Sequence, residues 1–170
     1  MIPSVANDRT LRRLTRDWFL FLCAYRRNVA RMPSDTAWVR AQLRTKLASM
    51  KDAAAPDAAL RHLLGQAIYP LVYFADEVLL NCRWAGESAW ARQLLEGDEF
   101  NTQHAGRDFF DRLQDPGLQD RDLLEIYYVC LALGFRGALA RKPLQLREAK
   151  ELLAARLGVT ASIGSRFCRE

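Results

Sequence analysis

The sequence predicts an all-α fold: a single bundle of seven to eight helices. Two observations carry this. Apolar residues recur at three- and four-residue steps along most of the chain, and no stretch alternates apolar and polar for long enough to make a strand. Length agrees, since 170 residues, half of them apolar, suit one domain with its own core.

The elements follow in order. Leu11, Leu14, Trp18, Phe21, Leu22, Tyr25 and Val29 sit at helical spacing with arginines between them, an amphipathic helix whose polar face is almost wholly basic. Pro33 ends it, and Ser34 or Asp35 can cap a second helix carrying Trp38, Leu43 and Leu47. Lys51 to Pro56 (KDAAAP) reads as a loop. A third helix runs from about Asp57 to Asn81 and contains Gly65 and Pro70; Pro70 has no N–H, which predicts a kink. A fourth, from about Glu87 to Glu96, carries Trp90, Leu94 and Leu95, with Gly97 as its stop. A short amphipathic piece holds Phe109, Phe110 and Leu113 and ends at Pro116-Gly117. Asp122 and Glu125 have capping-box spacing, and the apolar run after them predicts a helix in the middle of the bundle. The last helix opens at Pro143, a residue suited to a first turn, and repeats Leu146, Leu152, Leu153 and Leu157. The bundle thus covers residues 1–157, and 158–170 is a polar tail.

Net charge is +5, but its distribution is uneven: residues 1–50 hold 10 basic and 3 acidic groups, 51–135 hold 7 and 14, and 136–170 hold 8 and 3. Basic ends around an acidic middle differ from the continuous basic face of a nucleic-acid binder. The longest uncharged run, between His62 and Asp76, falls short of the roughly 20 apolar residues of a membrane span. Arginines interrupt the N-terminal apolar stretch, so it does not read as a signal peptide. Cys23, Cys82, Cys130 and Cys168 are far apart with no CxxC pair, which argues against a disulfide scaffold, zinc or redox site.

Catalytic ingredients are sparse. The only histidines, His62 and His104, belong to no spaced ligand set, and no nucleophile elbow, P-loop or dinucleotide motif occurs. A metal site from His104, Asp76 and Glu77 can be drawn, but helical bundles scatter carboxylates freely; neither metal nor cofactor is expected. The informative pair is Asp76-Glu77, which ends the apolar run IYPLVYFA. Adjacent helical residues point about 100° apart, so one of the two lies at the edge of the core and needs a partner or a cleft. It can pair structurally through Arg83 or Arg92, or offer an acidic recognition cleft. Glu125 divides the same way, capping its own helix or reaching the interior near Asp76. Trp84 and Trp90, flanking the turn Ala85-Gly86, read as a seal over the core or as interface anchors.

Several segments together resemble the DotU/TssL family of type IVB and type VI secretion systems. They are YFADEVLLN (Tyr73 to Asn81), Trp84 and Trp90, Leu94-Leu95 with Phe100, the run Ala105 to Phe110, Asp115-Pro116, and LLEIYYVCLALGFRG (Leu123 to Gly137). Similarity is dense over residues 67–137. The turn Cys82-Arg83-Trp84-Ala85-Gly86, Pro70, and the run Gly137-Ala138-Leu139 depart from the family pattern.

The resemblance implies a hook-shaped, non-enzymatic helical domain on the cytoplasmic face of the bacterial inner membrane. It implies a single membrane helix following the polar tail, at a point this chain does not reach. Implied partners are an IcmF/TssM-like inner-membrane protein and the baseplate subunits TssK and TssE, with a homodimer possible. The family's acidic pair falls on Asp76 and Glu77, as a partner-binding or cleft-shaping site. Basic ends toward the membrane and an acidic middle toward protein partners fit the charge pattern. The alternative is a nucleic-acid-binding or regulatory module using the arginines of the first helix; steep salt dependence of DNA binding would mark it.

Overall fold

The computed structural model describes residues 10–159. The polar tail from 160 onward, and Cys168 with it, lies outside the described residues. Among the described residues eight α-helices follow one another: α1 Leu11–Arg27, α2 Thr36–Ala54, α3 Ala58–Asn81, α4 Glu87–Arg92, α5 Leu95–Phe100, α6 Ala105–Leu113, α7 Arg121–Ala132 and α8 Pro143–Leu157. Single 3₁₀ turns lie at Val29–Arg31 and Gly137–Leu139, and no strand occurs among the described residues.

Four of the eight helix starts carry their own side-chain cap. Thr10, Asp35, Asp57 and Asp120 each accept a hydrogen bond from a first-turn N–H, opening α1, α2, α3 and α7. Asp120 therefore replaces the expected Asp122–Glu125 capping box; Asp122 sits inside the first turn. The loop expected at Lys51–Pro56 is also corrected. Alanine is the strongest helix former, Ala54 is fully buried, and α2 continues to that residue. The expected fourth helix is two helices, broken at Gln93-Leu94, and Gly97 lies within the second rather than stopping it. Asn101, in the left-handed conformation, ends that helix instead.

The centre of the bundle is α3 rather than α7. Packed against α1, α2, α4, α5, α6 and α7, α3 buries residues on every side along its second half. It remains one element through Pro70, although that proline leaves the Gln66 carbonyl without its intrahelical donor. The Pro70 and Leu71 carbonyls face buried side chains: Cys130 Sγ lies 3.7 Å from the first, and Trp18 Nε1 donates to the second at 3.1 Å. By length and composition α3 alone qualifies as a membrane span among the described residues, against the expectation that no segment would. Most of that stretch is buried in the bundle. On α7, in contrast, Glu125, Tyr128 and Val129, with Leu133 just past its end, are only half-buried, so one flank of the helix stays open.

Trp84 and Trp90 seal the core. They are 5% and 0% exposed, their rings lie 6.1 Å apart, and Tyr25 meets Trp84 edge-on at 5.6 Å. In α8, Leu153 and Leu157 are buried whereas Leu152 faces solvent.

Candidate functional site

Asp76 and Glu77, adjacent on α3, diverge into different surroundings. Asp76 is 2% exposed. Its Oδ1 accepts from Trp90 Nε1 at 2.8 Å and from Leu95 N at 2.9 Å, and its Oδ2 accepts from Glu96 N at 2.9 Å. Neither Arg83 nor Arg92 is the partner; the carboxylate caps α5 from outside that helix. The nearest cationic influence is Arg40, whose guanidinium lies 4.4 Å above the Trp90 ring and pairs with Asp98. Asp98 is also held by Arg44 at 3.1 Å and by Gln93 Nε2 at 2.9 Å.

Glu77 is half-buried and turns toward the end of α7. Its Oε1 accepts from Arg136 N at 2.8 Å and its Oε2 from Gly137 N at 2.7 Å. It lines a cleft of about 210 Å³ with Arg26, Phe74, Asn81, Gly134 and Arg136. A third carboxylate, not singled out from the sequence, completes the pattern. Glu96, also 2% exposed, accepts from Ala105 N at 3.0 Å and from Thr102 Oγ1 at 3.3 Å.

These three acids share one task. The α5 and α6 helices and the 3₁₀ turn at Gly137–Leu139 begin at Leu94, His104 and Arg136, none of which supplies a side-chain cap. Initial N–H groups of a helix have no intrahelical acceptor and must be satisfied from elsewhere. Asp76, Glu96 and Glu77 respectively do so. The sequence holds only a weak signal for this: these three starts lack Ser, Thr, Asp or Asn at the capping position, but so do α4 at Gly86 and α8 at Lys142.

Burial raises the pKa of Asp76, opposed by the three hydrogen bonds and by Arg40. Burial likewise raises Glu77, opposed by the Gly137 and Arg136 amides. It also raises Glu96, which the nearby Asp76 charge pushes further up. Asp98 is the contrast: burial raises it, but Gln93, Arg40 and Arg44 together bring it below its ordinary value.

Two of the motif segments meet at this site. The α6 start and the turn at Gly137 come so close that a Cβ on Gly137 would lie 2.7 Å from the Gly106 carbonyl oxygen. Gly137 has φ +48°, a second reason for glycine there. Glu125 takes neither expected role; it forms a 3.6 Å surface ion pair with Arg12. His62 contacts Gln66 on an exposed face, and His104 precedes α6. Among the described residues, no cluster of three or more His, Cys, Asp or Glu side chains is placed to hold a metal ion.

An all-helical domain whose buried carboxylates hold its own short helices in place, beside a small polar cleft, is the class these features define. The chain belongs to the DotU family: residues 10–164 match the family described as type VI secretion system protein DotU. Its fold is similar to the cytoplasmic domain of TssL from Acinetobacter baumannii, with a TM-score of 0.76 at 21% identity, over 88% of this chain and 98% of that one. No curated protein matches. Membership makes the protein a type VI secretion component and implies protein partners within the secretion complex.

Proposed function

We propose that the protein is a non-enzymatic subunit of the type VI secretion membrane complex. In this reading the bundle lies on the cytoplasmic side of the bacterial inner membrane and is anchored by one membrane helix beyond the polar tail. It links the inner-membrane assembly, through an IcmF/TssM-like protein, to the baseplate subunits TssK and TssE. The observation that carries the reading is the division of labour within the family's acidic pair. Asp76 is enclosed and acts by fixing α4 and α5, while Glu77 borders an open cleft next to Arg136 and Asn81.

The test compares binding of purified TssK, TssE and the cytoplasmic part of the TssM-like protein to wild type, Glu77→Gln and Arg136→Glu. Arg136 is exposed and its side chain lines the cleft, so its reversal leaves the core alone. Loss of about tenfold in affinity for at least one partner supports the cleft as a contact site, provided the melting temperature is unchanged in Arg136→Glu and falls by no more than about 4 °C in Glu77→Gln, which disturbs the two capping bonds. Wild-type binding of all three partners by Arg136→Glu and Glu77→Gln refutes it.

A further inference from the structure

A second surface, apart from the Glu77 cleft, has the features of a docking groove. It runs along the seam between α1 and the open flank of α7 and has a volume of about 580 Å³. Phe19, Cys23, Ile126, Val129 and Leu133 supply its apolar lining, and Leu20 stands at its edge, 54% exposed. Since Trp18, Leu22 and Tyr25 already anchor α1 in the core, Leu20 has no part in that packing. Leu20 extends the apolar lining outward onto the exposed side of α1, one turn after Arg16 and the exposed Asp17.

Charge decides what kind. Arg12 and Arg16 line the groove against one acid, Glu125. Glu125 is already matched by Arg12 at 3.6 Å. Arg16 lies one helical turn before Leu20 and has no acidic group within ion-pair distance among the described residues. Shape narrows it further. From Arg12 to Cys23 the groove follows α1 for about 17 Å, some three turns, and two helices lying side by side form the natural seat for a third. The apolar lining is recessed between the helices, which suits an inserted helix better than a flat bilayer. At one end Arg26 Nη1 donates to the Leu133 carbonyl at 2.9 Å, marking the boundary with the Glu77 cleft.

We propose that the α1/α7 groove docks an amphipathic helix with acidic residues on its polar side, presented by a protein partner. Apolar side chains at i, i+3 or i+4 and i+7 enter the seam, and a carboxylate meets Arg16. This surface is independent of the role assigned to Glu77.

The probe is a fluorescein-labelled peptide of about 18 residues, an idealised amphipathic helix with Leu on one face and Glu on the other. A matched peptide carries Lys in place of Glu. The Glu peptide is expected to bind about tenfold or more tightly than the Lys peptide, and to slow iodoacetamide labelling of Cys23 as read by mass spectrometry. Arg16→Glu and Leu20→Asp, both at exposed positions, should each weaken binding about tenfold without altering the melting temperature, while Glu77→Gln binds normally. The proposal is overturned if the two peptides bind alike or neither binds. It is equally overturned if Leu20→Asp abolishes only association with phosphatidylglycerol vesicles, or only self-association of the protein.

Discussion

Replacing Asp76 by Ala removes the acceptor of three buried donors at once: Trp90 Nε1, Leu95 N and Glu96 N. Each donor left without a partner costs about 1–3 kcal/mol. Part of this is offset, because the buried carboxylate is itself disfavoured in its charged form, as its raised pKa shows. A net loss of about 3–4 kcal/mol is expected, equivalent to a fall in Tm of about 6–16 °C for a domain of this size. Glu77→Ala is the internal control. Its donors, Arg136 N and Gly137 N, lie near the surface where water can replace the carboxylate, so its cost should be nearer 1 kcal/mol. Urea unfolding followed by circular dichroism measures both. Amide exchange adds a directional readout. Because Glu96 stands at the start of α5 and itself caps α6, Asp76→Ala should lose protection at Leu95 and Glu96 and also at Ala105. If Asp76→Ala costs no more than Glu77→Ala, or leaves the Ala105 amide protected, the account of linked helix starts is wrong.

Gly137→Ala should destabilise by about 2 kcal/mol or more, since it adds a Cβ at 2.7 Å from the Gly106 oxygen and occupies a positive φ; thermal melts check this. Gly65→Ala should do the opposite. Gly65 is exposed within α3 with nothing within 4 Å of an added Cβ, so a gain of about 0.5–1 kcal/mol is expected in urea unfolding. The pH profile should have two parts. Asp76, Glu77 and Glu96 have folded-state pKa values above the ordinary 3.8 for Asp and 4.5 for Glu, so the folded protein takes up protons first and stability through these groups rises as pH falls from neutral toward those values. Asp98 is lowered, so its contribution is intact above 3.8 and is lost as pH falls below that value. Urea midpoints between pH 7 and 3 test both, and Asp76→Asn should flatten the first part. A midpoint that falls steadily from pH 7 contradicts the assignment.

The all-helical class, the start of α1 and the limits of α3 and α8 were legible from spacing and capping residues alone, whereas α1 stops at Arg27 rather than running on to Pro33, and spacing left both tryptophans open between core seal and interface anchor. The abnormal position of Asp76-Glu77 was legible too, because two acids cannot interrupt a buried helix without consequence. The break between α4 and α5 was not legible. Locally, Glu87 to Glu96 is good helix sequence, and the chain turns at Leu94 because a carboxylate from α3 captures the next two amides. Likewise α2 extends to Ala54, where burial adds to alanine's own helix propensity and outweighs the loop reading of KDAAAP.

Sequence by itself determined the helical class, most of the long helices, the family resemblance and the uneven charge, since these depend on residues close together along the chain. Only the tertiary structure decided what each acid does. Asp76, Glu77 and Glu96 lie 9 to 60 positions away from amides they hold. Whether a carboxylate is enclosed by such donors or left at a cleft depends on which helix ends the packing of α3 brings to it.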